Sequence, residues 1–180
     1  MTFTEKLKYH FSHNRPSVHV HFDAFTYLDY NYIDDGVYIG TNQCCTAGLS
    51  ELLKREQITA DISLEEDRLD APFGVSSYTW IPTRDDNPPT FRQLLFGIET
   101  IENLVRMKQK VYLHCKHGHG RSCTYFAGYL MKKNHISADE AFAQIKRQRP
   151  SASMHESQKL FLQSFGEYLV SSGKSNPDLL

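Results

Sequence analysis

Residues 111–122 read Val111-Tyr112-Leu113-His114-Cys115-Lys116-His117-Gly118-His119-Gly120-Arg121-Ser122. The apolar opening predicts a short buried strand, and a helical pattern from about Arg121 to Lys133 follows. Gly118 and Gly120 let the connecting backbone turn so that successive N–H groups face inward. That makes an anion cradle at a helix N-terminus. The same positive field favours the thiolate of Cys115. Arg121 is placed to close the ring and offer two parallel N–H donors to phosphate oxygens. One loop therefore ionises a nucleophile and binds its target. Cys-x5-Arg spacing by itself arises readily by chance; the strand before it, the glycines and the helix after it carry the reading. His114, Cys115, His117 and His119 resemble a metal-ligand set, but the glycines and Arg121 fit an anion better than a cation, so no metal or other cofactor is expected. His114 reads as a buried hydrogen-bonding residue that orients the loop and supports the thiolate. Cys123 reads as a packing residue, with a reversible disulfide to Cys115 under oxidation as the alternative.

Working outward, Asn31-Tyr32-Ile33 and Val37-Tyr38-Ile39-Gly40 flank Asp34-Asp35-Gly36, the pattern of a β-hairpin. Leu49, Leu52 and Leu53 have helical spacing. Strands are expected over 58–64 and 77–81. Leu94, Leu95, Ile98, Ile101, Leu104 and Val105 share one helical face, with Asn87 as the expected cap and Pro88 in the first turn. Ser137-Ala138-Asp139-Glu140 and Ser153-Met154-His155-Glu156 both have capping-box spacing. The second opens a last helix carrying Leu160, Phe161, Phe165 and Leu169. The alternation of strands and helices predicts one α/β domain, a central, mostly parallel sheet flanked by helices, with Cys115 at the carboxyl end of a central strand. The expected division is an N-terminal arm or edge segment over 1–25, a catalytic domain over 26–172 and a polar tail over 173–180. Glu65-Glu66-Asp67-Arg68 reads as a solvated loop.

The 180 residues suit one domain with a real core, and 40% hydrophobic and 23% charged residues are ordinary for a globular protein. A net charge of -1 excludes a global field that recruits nucleic acid, so no nucleic-acid partner is expected. No apolar run is long enough to span a bilayer, and no signal peptide is evident, so stable membrane insertion is not expected. Cys44 and Cys45 are adjacent, which argues against a disulfide framework and for a reducing, cytoplasmic setting.

His114-Cys115-x5-Arg121-Ser122 resembles the signature of the cysteine-dependent protein tyrosine and dual-specificity phosphatases. The resemblance runs from about Asn31 to Leu169 and includes residues 32–40 and Arg147-Gln148-Arg149-Pro150. It implies a phosphocysteine on Cys115, phosphate binding by Arg121, and help from the Ser122 hydroxyl when the thiolate leaves. It also implies a general acid from an upstream loop, matched by residues 80–90, in which Asp85 aligns best and Asp86 is second. Substrate contacts are expected from Lys116, His117, Gly118, His119 and Gly120. The general pattern implies hydrolysis of phosphotyrosine, phosphoserine or phosphothreonine in proteins. His114-Cys115-Lys116 and Ile81-Pro82-Thr83-Arg84-Asp85 are also similar to the phosphatidylglycerophosphate phosphatases, which makes a phospholipid substrate the alternative. His117 and His119 depart from that branch, where Ala and a basic residue are usual. A catalytically silent phosphate-binding module is the third reading; such proteins usually lack the cysteine or the arginine, and both are present here.

Overall fold

The computed structural model describes residues 18–22, 26–42 and 48–175, with side chains described for 28–42 and 48–172. Cys44, Cys45, most of the expected arm and the tail beyond 175 lie outside the described residues. Six strands, β1 (Val18–Phe22), β2 (Thr26–Asp34), β3 (Val37–Gly40), β4 (Ala60–Ser63), β5 (Ser77–Trp80) and β6 (Val111–His114), form one sheet in the order β1-β2-β3-β6-β4-β5. β3, β6, β4 and β5 are mutually parallel, and β1 and β2 extend the sheet by antiparallel pairing. The sheet is thus mixed, with a parallel centre, and residues 18–22 form its edge. The hairpin from β2 to β3 turns on Asp35 at φ 52° and Gly36 at φ 79°, the paired left-handed conformation that a two-residue turn of matching twist requires.

The helices are α1 (Glu51–Arg55), α2 (Phe91–Arg106), α3 (Arg121–Asn134), α4 (Ala138–Gln148) and α5 (Glu156–Ser175). Every residue of α3 from Arg121 to Met131 is buried. It is the central helix, packed on β3 and β6 and touching α2, α4 and α5. Strand alternation sorts the core. Val37, Ile39, Ala60, Ile62, Val111 and Leu113 face α2–α5, whereas Tyr38 and Tyr112 join Leu52 and Leu53 of α1 on the other face. With both faces covered, β6 is buried along its whole length, as a central parallel strand must be.

Two helix starts differ from expectation. Thr90, not Asn87, caps α2: its hydroxyl accepts from Gln93 N while Gln93 returns a bond to Thr90 N. Asn87 instead donates to the Asp85 carbonyl at 2.7 Å. The Ser153 box does not form, because α5 begins at Glu156 and Gln158 Oε1 accepts from His155 N at 3.0 Å. Leu162 and Phe165 are buried, while Leu160 is 55% exposed.

Candidate active site

β6 delivers Cys115 to the carboxyl edge of the sheet, and α3 starts six residues later at Arg121. Between them every carbonyl is held from outside the loop. Lys116 O accepts from Asn42 N, His119 O from Ser153 N, and Gly120 O from Thr124 N and Oγ1. Arg149 secures the middle: its Nε donates to Gly118 O at 2.8 Å and one terminal nitrogen to His117 O at 3.0 Å. With the carbonyls turned out, the peptide planes turn the N–H groups in, and no acceptor among the described residues takes those of Lys116 to Gly120. Gly118 must be glycine. Its φ is +67°, and a Cβ there would lie 2.5 Å from Gly40 O.

Arg149 is fully buried and is itself fixed by Asn31 Oδ1 at 2.8 Å and Asp29 Oδ2 at 3.0 Å. Breaking a buried pair of this kind costs about 3–5 kcal/mol. In the sequence Arg149 closes a helix and belongs to the Arg147-Gln148-Arg149-Pro150 stretch that carries the resemblance, with no role of its own. No local pattern signals a tie that spans more than a hundred residues to β2.

Arg121 is 3% exposed, and its guanidinium is oriented from three directions. Nη1 donates to Thr83 O at 2.9 Å and Leu64 O at 3.3 Å. Nη2 meets Glu65 Oε1 at 3.0 Å and Asp85 Oδ1 at 2.8 Å. Nε has no partner among the described residues. Glu65 therefore departs from its reading as part of a solvated loop: it is 6% exposed because it neutralises a buried arginine. Asp85 is held near Arg121 by its own backbone, with its N–H on Glu66 Oε1 and its carbonyl on Asn87.

The loop of residues 85–87 is also tied to α5. Asp86 Oδ1 lies 2.9 Å from His155 Nε2, Ser157 Oγ donates to Asp86 O, and Gln158 Nε2 donates to Asn87 O at 3.1 Å. Gln158 is 1% exposed and lies against Gly120, where an added Cβ would sit 2.8 Å from its Oε1. One side chain thus spans the 85–87 loop and the start of α3. Neither Gln158 nor His155 was legible as a site residue, since both belong to an ordinary amphipathic helix start.

These elements enclose a pocket of about 270 Å³ lined by Cys115, Arg121, Asp85, Asp86, His117, His119, Gly120, Ser153, His155 and Gln158. Of the expected substrate contacts, His117, His119 and Gly120 line it. Gly118 is buried behind the loop, and Lys116 is exposed outside the lining. The Ser122 hydroxyl is buried with no partner among the described residues. The His117 and His119 rings stack at 5.8 Å. Burial holds His119 below the usual histidine range, with Arg149 and then His117 adding to the effect. Burial pushes the Cys123 thiol up to about 12, so it stays protonated and packs as a small apolar group. No group of three or more metal-ligating side chains with the geometry to hold an ion occurs among the described residues.

Residues 37–167 match the family model for the dual specificity phosphatase catalytic domain. The chain is 30% identical over 86 residues to the phosphatidylglycerophosphate phosphatase PTPMT2 of Arabidopsis thaliana, covering 47% of this chain and 38% of that protein. It is 32% identical over 88 residues to phosphatidylglycerophosphatase and protein-tyrosine phosphatase 1 of Rattus norvegicus, covering 49% and 46%. It is 29% identical over 104 residues to dual specificity protein phosphatase 1 of Homo sapiens, covering 57% and 28%. The match spans less than half the length of each of these relatives. Among solved structures, PTPMT1 superposes with a TM-score of 0.68 at 26% identity, over 82% of this chain and 99% of that one. Human DUSP28 gives 0.70 at 22% identity, over 79% and 99%.

Proposed function

The chain belongs to the dual specificity phosphatase catalytic-domain family, and from that premise we propose that it hydrolyses phosphomonoesters in two steps through a phosphocysteine on Cys115. The observation that carries the reading is the convergence of Cys115, Arg121 and Asp85 on one pocket. The Cys115 thiolate attacks phosphorus and the ester P–O bond breaks. Asp85 gives its proton to the leaving oxygen, which would otherwise depart as a poor alkoxide or phenoxide. Arg121 and the inward N–H groups hold the phosphoryl oxygens as charge shifts among them. Water then attacks the phosphocysteine, returns a proton to Asp85 and releases inorganic phosphate. The unpartnered Ser122 hydroxyl is free to stabilise the departing thiolate.

The proposed substrates are phosphotyrosine, phosphoserine and phosphothreonine in proteins. A phospholipid phosphomonoester is the second reading, favoured by the two matched relatives whose names include phosphatidylglycerophosphate chemistry. Turnover of phosphopeptides, phosphatidylglycerophosphate vesicles and phosphoinositide vesicles separates them. Protein preference predicts faster phosphopeptide hydrolysis. Lipid preference predicts the reverse, with Lys116→Ala and His119→Ala losing most activity on vesicles. No turnover of any ester would leave a phosphate-binding module instead.

A further inference from the structure

β5 ends the sheet, and its outer side has no strand beside it among the described residues. Ser77 and Ile81 donate to the carbonyls of Thr59 and Ser63. In a parallel ladder the alternate residues turn their backbone groups the other way, so the N–H and C=O of Tyr78 and Trp80 face outward. Neither residue has a backbone partner on that side among the described residues. Apolar side chains stand beside this bare edge. Trp80 is 43% exposed, and the loop before β5 adds Leu69 at 66% and Phe73 at 76%. Tyr78 pairs with Asp61, and Asp61 with Tyr112, so Tyr78 and by alternation Trp80 lie on the α1 side of the sheet. The loop is held over the same side, because the Tyr78 hydroxyl accepts from Asp70 N and Ser63 Oγ donates to Asp70 at 2.7 Å. Trp80 Nε1 donates to Glu65 O at 2.6 Å, which places the carboxyl end of β5 beside the residue that holds Arg121.

An unpaired edge is a template for another strand, and the chemistry around it decides which strand fits. Along residues 65–86 the exposed charged groups are Glu66, Asp67, Asp85 and Asp86 on the acidic side and Arg84 on the basic side. Arg68 is paired with Asp70, and Lys54, whose stem approaches Gly74, is paired with Glu51. Such a rim repels an anionic membrane surface and attracts a basic segment. We propose that the outer edge of β5 docks an extended segment of a phosphoprotein substrate, with its apolar residues against Leu69, Phe73 and Trp80. Basic residues nearer the phosphorylated one then face Glu66 and Asp67 at the carboxyl end of β4. The inference rests on the phosphoprotein reading of the substrate and adds to it a recognition element outside the pocket. Strands about 4.8 Å apart put the added strand roughly 14 Å from β6, and at about 3.3 Å per residue docking starts about four or five residues from the phosphorylated one.

Trp80 is the one tryptophan in the sequence, so its emission reports on this edge. The probe is an unphosphorylated peptide with arginines followed by alternating valine and threonine, made in both chain directions because an edge accepts either. At least one direction should shift Trp80 emission saturably to shorter wavelength, and glutamate in place of arginine should weaken binding roughly tenfold. N-methylating alternate residues should abolish the shift in one frame, where the methyls replace the donors facing β5, and spare it in the other. Leu69→Ser with Phe73→Ser should also weaken binding roughly tenfold, and turnover of p-nitrophenyl phosphate should stay unchanged because both side chains are exposed. Joined to phosphotyrosine at the stated spacing, the segment should raise kcat/KM roughly tenfold through KM, and the double variant should lose that gain. No emission shift in either direction, or a shift that survives both the double variant and N-methylation, overturns the proposal. So does peptide binding with no gain in kcat/KM, or binding to phosphatidylserine vesicles that the double variant abolishes. Peptide binding needs no turnover, so a lack of hydrolysis on every phosphopeptide would count against the phosphatase reading and leave the docking edge standing.

Discussion

At the scale of single residues, the proposed acid and the proposed phosphate-binding group share one edge. Asp85 Oδ1 lies 2.8 Å from Nη2 of Arg121, the nitrogen that also holds Glu65. On the proposed mechanism an arriving phosphoryl oxygen competes with a carboxylate already there, while the same contact would keep Asp85 beside the leaving group. Asp85→Asn should therefore have two opposite effects. Turnover should fall by about 10²–10⁴, the usual worth of a positioned acid, while inorganic phosphate should inhibit more strongly. Asp86 is 70% exposed and paired with His155, so Asp86→Asn should change turnover only mildly. Steady-state kinetics with phosphate as inhibitor checks both. A larger loss in Asp86→Asn would move the acid role to that residue.

At the scale of elements, the 85–87 loop and α2 have separate anchors. Thr90 starts the helix, whereas Asn87, Ser157 and Gln158 shape the loop before it. Thr90→Ala should cost about 1 kcal/mol in urea unfolding and leave kcat nearly unchanged. Asn87→Ala should do the reverse, lowering kcat with little change in midpoint. Equal effects of the two on both readouts would contradict this division. The same loop shows where sequence reading stops. Asn and Thr are both good caps, and Pro88 suits a first turn, so composition favoured the earlier start. Tertiary contacts decided otherwise, because Asn87 is spent on the Asp85 carbonyl and its own carbonyl on Gln158. The Ser137 box, free of such competition, forms as its spacing implies.

At the scale of the whole molecule, periodicity was enough to place the sheet, the flanking helices and the carboxyl-edge position of Cys115, since each depends on local alternation and on glycines with one purpose. The buried charges were not legible. Arg149 reaches Asp29, Glu65 neutralises Arg121, and Asp61 faces His114, yet in the sequence each is one more polar residue among many. Such pairs join segments far apart in the chain and follow no period. They matter together, because the cradle around Cys115 is rigid only if its outward carbonyls and its arginine are held from several sides. The central claim is that Cys115 carries the phosphoryl group between the two steps. Rapid acid quench during turnover of a ³²P-labelled phosphotyrosyl peptide tests it directly. Wild-type protein should retain label on the peptide containing Cys115, Asp85→Asn should retain it with slower formation, and Cys115→Ser should neither turn over nor retain it. Undiminished hydrolysis by Cys115→Ser would contradict the account.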